Sequence, residues 1–411
     1  MVGKIKKKQA NKVKDQYEDY PYPYRDPKDE KKRLITGSPG QLVEINHYLF
    51  AGKRDFAQPF RVLIAGGGTG DAVIMLAQNL KDIKCPAEIH YIDLSEASRR
   101  IAEKRAKIRG LDNITFHTGS LLEIGHLGKF DYIDSCGVLH HLPDPQAGFK
   151  ALADALAPNG GMGIMVYGTL GRTGIYHTQE MLRMINADDN NQKQVNVAKD
   201  LLNEMPATNW LQKNANIRDH KESDAGLYDL FLHSQDRSYT VKELDEEASQ
   251  AGLKIITFID PARYDPDYYI KDAGLQARLA KLDNIERAHF AELLSGNMRK
   301  HIVYLNKVDA DDSVAKPIAP NAIPCYLDAL TAKEFRSMPQ GAQPRFEFDG
   351  IQFDIDLPPQ TAAILRVIDG KRSLEDIRAL MQGGPDWFAF AQVFGVIFKT
   401  LNGFGRLFIR Y

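Results

Sequence analysis

Histidine and tyrosine side chains at the ends of apolar segments are the residues of this sequence best suited to acid–base chemistry. His140 and His141 follow one apolar strand, and Tyr167 ends another. Histidine titrates near neutral pH, so one of the pair could act as a general base while the other packs structurally. His233 with Asp236 is a second candidate, in which the carboxylate would orient the imidazole. The alternative for this pair is a helix-entry turn that Asp236 merely caps.

A strand–turn–helix–strand pattern within residues 60–142 predicts the scaffold that would position these side chains. Apolar residues 61–65 lead into a glycine-rich turn at 66–70, and an amphipathic helix follows. A second strand, residues 88–92, ends on Asp93. This is the first half of an open parallel sheet that holds a nucleotide-like ligand at its carboxyl edge, with the acid on the ribose.

The glycine spacing distinguishes two classes of ligand. A dinucleotide site needs a third glycine three residues after the second, and Asp71 occupies that position when Gly66 and Gly68 are the first pair. A carboxylate there would repel a pyrophosphate. Gly66, Gly68 and Gly70 instead form GxGxG, which looks like the first motif of class I S-adenosylmethionine-dependent methyltransferases, whose cofactor carries no phosphate.

Later motifs extend this resemblance. Residues 119–122 (GSLL) follow a third strand, and residues 130–135 (FDYIDS) form a fourth that runs into 136–142 (CGVLHHL). Residues 156–161 (LAPNGG) then resemble the family's entry to strand five. The chain therefore resembles class I methyltransferases over roughly residues 60–168, and the fourth-strand and fifth-strand motifs together are more specific than the glycine loop.

The resemblance implies an α/β fold with a doubly wound, seven-stranded Rossmann-like sheet and S-adenosyl-L-methionine as cofactor. Two positions depart from the family pattern. Ile64 replaces the usual acid before the first glycine, and Ser120 stands where an aspartate often contacts the adenine, so cofactor affinity is in question. The positions that match the family's cofactor-binding motifs are Ala65, Gly66, Gly68, Thr69, Gly70, Asp93, Leu94, Gly119, Ser120, Leu121, Gly137 and Val138.

Tyrosine and proline alternate in the segment from residue 17 to 27. The prolines fix an extended path, and the tyrosine rings need something to cover. In related small-molecule methyltransferases an N-terminal segment closes over cofactor and substrate; the alternative is a strap packed on the outside of the domain. The candidate substrate-binding residues are Tyr20, Tyr22, Tyr24, His140 and Arg172, and the candidate catalytic residues are His141, Tyr167, His233 and Asp236.

Composition limits the partners and the compartment. The chain has 411 residues, a net charge of −1, and ordinary apolar (43%) and charged (26%) fractions. No basic stripe favours nucleic acid, and no apolar run is long enough to span a membrane. The three cysteines are widely separated, lack metal-ligand spacing and indicate a cytoplasmic protein without a metal. The lysine-rich residues 1–14 are predicted to form a solvated tail.

The chain is long enough for several domains. An arm, strap and helix are expected over residues 1–59, followed by the cofactor-binding domain over 60–307. That domain would carry insertions at 168–250 and 261–299, and its last two strands would pair antiparallel, as is typical of the family. A linker with three prolines and an acidic run is predicted at residues 308–324.

Residues 325–411 have a different rhythm, with a hairpin, three helices and a final strand. This pattern weakly resembles winged-helix-like accessory domains of protein methyltransferases. Its aromatic helix should mostly fill the module's own core. Any remaining apolar surface could dock on the first domain, on a second subunit in a homodimer, or on a peptide or protein substrate.

We therefore expect an S-adenosylmethionine-dependent methyltransferase that acts on a small molecule or on a protein or peptide, and not on nucleic acid. The sequence leaves the acceptor atom open among O, N, S and C. The alternative is a catalytically silent S-adenosylmethionine-binding regulatory or interaction protein, suggested by the missing acid at Ile64. An NAD-dependent oxidoreductase is less compatible with Asp71.

Overall fold

A mixed sheet forms the centre of the structure, a computed structural model that describes residues 13–186 and 190–411. Residues 1–12 of the predicted lysine-rich tail lie outside the described residues. The strands of the sheet are β1 (Phe60–Ala65), β2 (Ala87–Asp93), β3 (Ile114–Thr118), β4 (Phe130–Cys136), β5 (Leu156–Tyr167), β6 (Leu253–Ile259) and β7 (Lys300–Lys307).

The strand order within the described part of the chain is β3-β2-β1-β4-β5-β7-β6. β1 to β5 pair in parallel, whereas β7 runs antiparallel to both β5 and β6. The parallel strands bring their carboxyl ends to one edge, at the point where the order reverses between β1 and β4. The predicted doubly wound, seven-stranded α/β sheet with an antiparallel terminal pair is confirmed.

Helices cover both faces of this sheet, so its central strands are buried on both sides, whereas the edge strand β3 is partly exposed. One apolar cluster joins β1 and β2 to the helices Leu42–Leu49, Asp71–Asp82 and Glu96–Ile108. The other joins β4, β5 and β7 to the helices Pro145–Ala155, Val241–Gln250 and Asn284–Ser295. Shorter elements between them are the helix Ala273–Leu279 and the 3₁₀ turns Pro27–Lys31, Leu121–Leu127, Leu139–His141, Leu170–Arg172, Pro261–Tyr264 and Pro266–Tyr268.

An insertion that we call the cap, residues 168–240, lies between β5 and the helix Val241–Gln250. It has an apolar cluster of its own, to which Ile175, Val195 and Phe231 belong. Its helical elements are Ile175–Asn186, Asn191–Asn203, Trp210–Lys213, Asp219–Glu222, Asp224–Leu227 and the π-helical turn Tyr228–Leu232. The insertion expected at 168–250 is shorter than predicted, because Val241, Leu244 and Ala248 pack in the cluster of the main sheet.

The C-terminal module, residues 323–411, contains two small antiparallel sheets and several helices. Phe390, Phe394 and Phe398 are buried in its core, as expected for the aromatic helix. The resemblance to a winged helix is not confirmed. The elements are β8 (Ile323–Tyr326), β9 (Arg345–Phe348), β10 (Ile351–Asp354), β11 (Leu407–Arg410) and the helices Ala329–Arg336, Thr361–Val367, Leu374–Ala379 and Trp387–Gly403.

β11 joins the module directly to the cofactor-binding domain. The backbone N–H of Ile409 donates to Nδ1 of the buried His47 at 3.1 Å, and the N–H of Tyr411 donates to the Gly52 carbonyl at 2.8 Å. Phe408 is part of the apolar cluster beneath β1. The segment expected to be a linker also packs here, because Ala315 is buried and its N–H donates to the His47 carbonyl at 2.7 Å.

No helix in the described parts of the chain is long and apolar enough to cross a membrane.

Candidate active site

The glycine loop after β1 lies at the switch point of the sheet. Gly66, Gly68 and Gly70 all have positive φ angles, which glycine adopts without the steric cost that a side chain adds. A Cβ on Gly66 would lie 2.4 Å from the side chain of Val138 after β4, so only glycine lets the two loops approach. The predicted loop and its partner across the crevice are therefore brought together.

Asp93, the last residue of β2, is hydrogen-bonded to the glycine loop. Its Oδ2 accepts from the Gly68 N–H at 2.7 Å, and its Oδ1 accepts from the Ser95 N–H at 2.9 Å. Burial raises the pKa of this carboxyl group. A carboxylate has about four lone-pair sites, so two acceptor positions remain after these two bonds. Asp93 can therefore still accept bonds from a vicinal diol such as a ribose.

The remaining predicted cofactor-binding residues follow the same edge. The Gly119 N–H donates to the Asp93 carbonyl at 2.9 Å, which ties the β3 loop to β2. Ser120 uses its hydroxyl to accept from the Leu122 N–H at 3.2 Å and so caps a 3₁₀ turn. Gly137 has a φ of 75° directly after β4. Ala65, Thr69 and Leu121 are buried beside these loops, and Leu94 is partly buried.

A strap formed by residues 13–25 lies across this edge. The Thr69 hydroxyl donates to the Pro23 carbonyl at 2.7 Å, and the Ser95 hydroxyl donates to the Tyr17 carbonyl at 3.0 Å. The Tyr22 carbonyl oxygen would lie 3.0 Å from a Cβ on Gly68. The strap therefore covers the glycine loop itself, which agrees with the first of its two predicted positions.

The strap tyrosines do not all contribute to the site. Tyr20 stacks on Tyr228 of the cap, with ring centroids 5.1 Å apart. Tyr24 is 69% exposed and makes no contact with the cluster described below, so its contact with substrate stays a prediction. Tyr17, which the prediction did not select, faces the centre of the site.

Ion pairs hold the strap down. Arg25 forms a bidentate pair with Asp71, with its Nη2 2.6 Å from Oδ2. Arg105 contacts Asp71 at 2.7 Å and the buried Glu30 at 2.7 Å, and Arg109 also pairs with Glu30. The acid that argued against a pyrophosphate is therefore also the anchor of the strap.

Aromatic and imidazole rings form a column at the ends of β4 and β5. His140 stacks on Tyr167 with centroids 3.8 Å apart, and His141 stacks on His233 at the same distance. The rings of the two neighbouring histidines, His140 and His141, lie 4.2 Å apart. Arg172 covers the Tyr167 ring at 3.6 Å. These predicted residues are therefore one cluster.

Asp229 is the carboxylate at the centre of this cluster, and the sequence did not reveal it. The Tyr17 hydroxyl donates to its Oδ1 and the Tyr167 hydroxyl to its Oδ2, both at 3.0 Å. Burial raises the pKa of Asp229, and nearby His141 opposes that shift. Within residues 13–186 and 190–411, no lysine or arginine forms an ion pair with it. Asp229 is therefore a buried carboxylate without a lysine or arginine partner in the described chain, and His141 is the nearby group that lowers its pKa.

Asp236 does not orient His233 as predicted. Its Oδ2 instead accepts from Arg172 and from Gln179, both at 3.0 Å. The partner of His233 Nε2 is the Tyr17 hydroxyl, at 3.3 Å. Asp236 thus neutralises Arg172, and Tyr17 stands between His233 and Asp229, because its hydroxyl contacts both.

Protonation within the cluster follows from burial and from hydrogen-bond direction. Burial lowers the pKa of both His140 and His233 well below the ordinary value, and the neighbouring His141 lowers each further. The Gln235 N–H donates to His233 Nδ1 at 3.0 Å, so the hydrogen of neutral His233 lies on Nε2. His141 Nδ1 lies 2.8 Å from the Gln235 carbonyl, so its Nε2 is the nitrogen left to accept.

His141, Asp229 and His233 also have the composition of a metal site. Their ligand atoms lie within 4.8 Å of one another. A metal would need the lone pair of His233 Nε2, which requires moving the hydrogen to Nδ1, where the Gln235 N–H already donates. The tautomer therefore fits a hydrogen-bonded cluster better than a metal centre, and the absence of a metal stays a prediction.

Comparisons with known proteins agree with this geometry. The family model described as a methyltransferase domain matches residues 63–162. An uncharacterized protein from Synechococcus sp. is 32% identical over 254 residues, and the match spans 60% of this chain and 60% of that relative's length. PKMT2 from Rickettsia typhi has a similar fold at 17% identity, with a TM-score of 0.64 over 90% of this chain and 76% of that one. Its complex with AdoHcy matches at 16% identity, with a TM-score of 0.63 over 91% and 75% of the two chains.

Proposed function

We propose that the protein transfers a methyl group from S-adenosylmethionine to an amine, because residues 63–162 match a methyltransferase domain. The methyl-transfer reaction and the cofactor are inferred from that match. The amine is our inference from Asp229, a buried carboxylate without a lysine or arginine partner among the described residues. The choice of an amine as the acceptor rests on that observation.

The residues at the sheet edge fit the cofactor. Asp93 keeps acceptor positions for the ribose hydroxyls, and Gly66 and Gly68 let the loop approach Val138 and the strap backbone closely. Tyr17 and Tyr22 of the strap would close over it. The structural neighbour PKMT2 from R. typhi has been solved with AdoHcy, which supports the same assignment for this chain.

An ammonium group would compensate Asp229. Leaving a carboxylate buried without a partner is costly, and a bound cation would relieve that cost. His140 and His233 are neutral because burial depresses the pKa of each, so neither would repel the ligand. A lysine side chain or a small alkylamine has this chemistry.

The chain's own residues would then prepare the acceptor. When bound, S-adenosylmethionine supplies an electrophilic methyl group for an in-line displacement. Asp229 would hold the ammonium form in place, and His141 Nε2 would accept the proton whose loss exposes the nitrogen lone pair. The strap and the cap would exclude water from the site. Tyr17 and Tyr167 fix the carboxylate orientation.

A labelling experiment tests this proposal. The purified full chain is incubated with methyl-labelled S-adenosylmethionine and with separate protein and small-molecule fractions of a lysate. We expect label that survives mild base, since methylamines persist whereas carboxyl methyl esters hydrolyse. Base-labile label would contradict an amine acceptor. Cofactor binding without any transfer would support the silent regulatory protein instead.

Two variants separate binding from transfer. Asp229→Asn should reduce transfer by about 100-fold while calorimetry shows unchanged cofactor affinity, the loss expected when the acceptor is no longer held in position. Asp224→Asn is the matched control on the cap, because Asp224 forms an exposed pair with Lys199 at 2.7 Å. Equal effects of the two variants would contradict the role given to Asp229.

A further inference from the structure

The turn of the β9–β10 hairpin in the C-terminal module reaches the cofactor-binding domain. Phe348 pairs with Ile351, which leaves Asp349 and Gly350 as a two-residue loop. Both have positive φ, 48° and 85°, the pattern of a type I′ turn for which Asp-Gly is a preferred sequence. The turn is therefore a rigid tip that presents Asp349 outward.

Donors from separate segments of the other domain converge on Asp349. Its carboxylate accepts from Arg263 at 2.7 Å and from Arg299 at 3.1 Å. Its backbone carbonyl accepts from the side-chain amides of Asn216 at 3.1 Å and Asn297 at 2.9 Å. Asn216 belongs to the cap, whereas Arg263 follows β6 and the other two precede β7. One residue of the module thus ties three segments together.

The loop that follows β5 rests on the segment that Asp349 holds. The Gly168 N–H donates to the Arg299 carbonyl at 2.8 Å, and the Gly171 N–H donates to the Met298 carbonyl at 3.1 Å. A Cβ on Gly171 would lie 2.3 Å from the Met298 backbone, so the two segments are in close contact. A shift of residues 297–299 would therefore move this loop.

The same loop, residues 168–172, includes Arg172, which lines one side of the proposed acceptor site. Arg172 is buried, stacks on Tyr167 at 3.6 Å and pairs with Asp236 at 3.0 Å. Tyr167 in turn donates to Asp229. A continuous series of contacts therefore links Asp349, at the tip of the hairpin, to Asp229 in the proposed acceptor site.

We propose that Asp349 is a positioning residue through which the C-terminal module sets the geometry of the acceptor site. The proposal rests on the proposed function only in naming that site; the contacts themselves do not depend on it. The hydrogen-bond partners of Asp349 are Arg263, Arg299 and the two asparagines, and none of them belongs to the glycine loop or is Asp93. Its loss should therefore disturb acceptor use and leave cofactor affinity unchanged.

Asp349→Asn isolates the charge, because asparagine also tolerates the left-handed conformation of the turn. Asp354→Asn is the control in the same hairpin, where Asp354 pairs with Arg345 and both side chains are largely exposed. Hydrogen exchange of the full chain should show about tenfold faster exchange at residues 168–172 in the first variant only, the size expected from losing charge-assisted hydrogen bonds. This measurement needs no acceptor.

Transfer kinetics complete the test, with the lysate fraction that accepts label as the probe. Asp349→Asn should lower transfer about tenfold with an unchanged cofactor Kd, for the same physical reason. Arg299→Gln should reproduce this result and covers the case in which the hairpin variant fails to fold. Exchange at 168–172 equal to that of Asp354→Asn, or faster exchange spread evenly over the chain, would overturn the proposal. A wild-type chain that transfers no label would instead reject the proposed function and leave the exchange result to decide this inference.

Discussion

The hydroxyl of Tyr17 is the strap's direct contact with the centre of the site. It donates to Asp229 at 3.0 Å, and burial, with the charge of Asp229, raises the pKa of this phenol well above its ordinary value. The phenol therefore stays protonated at neutral pH and remains a donor. Its role differs from that of Tyr24, which lies on the same strap but is exposed.

Tyr17→Phe should release one oxygen of Asp229 and loosen the strap. A hydrogen bond to a charged group is worth about 1.5–3 kcal/mol, so we expect acceptor turnover to fall and the strap to become protease-sensitive. Tyr24→Phe is the control and should change neither quantity. Limited proteolysis and label transfer provide the measurements. Equal sensitivity of the two variants would show that the hydroxyl does not hold the strap.

Glu44 is a second residue whose ionisation is altered by burial, and it lies beneath the sheet, away from the candidate site. It accepts from Ser38 at 2.8 Å and Tyr304 at 2.9 Å, yet burial raises the pKa of Glu44 to about 7. The protonated form is therefore favoured in the folded state. The resulting stability is present below the unfolded pKa near 4.5 and is lost as the pH rises to about 7.

Glu44→Gln should remove this pH dependence and stabilise the protein at pH 8 by an amount on the order of 3 kcal/mol. Asp134→Asn is the comparison, since burial also raises the pKa of Asp134 to about 7. Chemical denaturation at pH 5 and pH 8 measures the effect. A Glu44→Gln variant with the same stability difference between the two pH values as the wild type would contradict the buried-acid explanation.

The roles of two site residues, Asp229 and Asp236, could not be predicted from their neighbours in the sequence. Asp229 interrupts the apolar run of residues 228–232, which indicates a buried helical segment and not a site. Asp236 was chosen because it stands three residues after His233, a local spacing that says nothing about the fold. By contrast, the glycines and Asp93 lie in one strand–turn–helix–strand unit whose geometry is local, and for that reason their placement could be predicted.

The strap depends on the ion network beneath it. The side chains of Glu30 and Arg105 are only 3% and 1% exposed and lie 2.7 Å apart. Removing Glu30 would leave Arg105 with Asp71 as its acidic partner, and Arg25 already shares that carboxylate, so the buried positive charge would be only partly compensated. The network thus links the turn that follows the strap to the helix Glu96–Ile108 behind the glycine loop.

Glu30→Gln should destabilise the chain by about 3 kcal/mol and weaken cofactor binding, because Arg105 also contacts Asp71 and the Thr69 carbonyl beside the loop. Glu96→Gln is the control; its pair with Arg100 is exposed and should contribute little. Thermal unfolding and calorimetry check both effects. A loss of stability without a loss of cofactor affinity would show that the strap and the loop are uncoupled.

Element boundaries that the sequence misplaced have local causes. Within the insertion expected at 261–299, residues 273–295 form two helices, because Asp283 caps the second helix and forms a capping box with Glu286. Within the insertion expected at 168–250, Trp210–Lys213 and Asp219–Glu222 are helices of only four residues, too short for a helical periodicity to reveal. The strands were predicted more closely because continuous apolar runs mark a sheet that is buried on both faces.

At the scale of the whole molecule, the sequence suggested two separable domains, and the structure joins them. The pairing of His47 with Ile409 links residues more than three hundred positions apart, and no local pattern can indicate such a contact. The proline-containing segment near residue 315 looked like a linker because proline and acidic residues are common in linkers. In the structure, Ala315 is buried against the helix Leu42–Leu49.

A substitution of Phe408 would test whether the contact of β11 with the cofactor-binding domain makes the two parts of the chain one cooperative folding unit. Its ring belongs to the apolar cluster of β1 and contacts His47 and Tyr48, with centroids 5.7 and 6.0 Å away. Phe408→Ala should therefore cost about 3–5 kcal/mol and lower the melting temperature of module and cofactor-binding domain together. Phe388→Ala is the matched control, because Phe388 is 72% exposed on the helix Trp387–Gly403. Calorimetry of the full chain should give one transition in every variant. Two transitions, with only the module's shifted by Phe408→Ala, would show that the module folds independently and that Asp349 cannot be expected to act on the acceptor site through a shared rigid body.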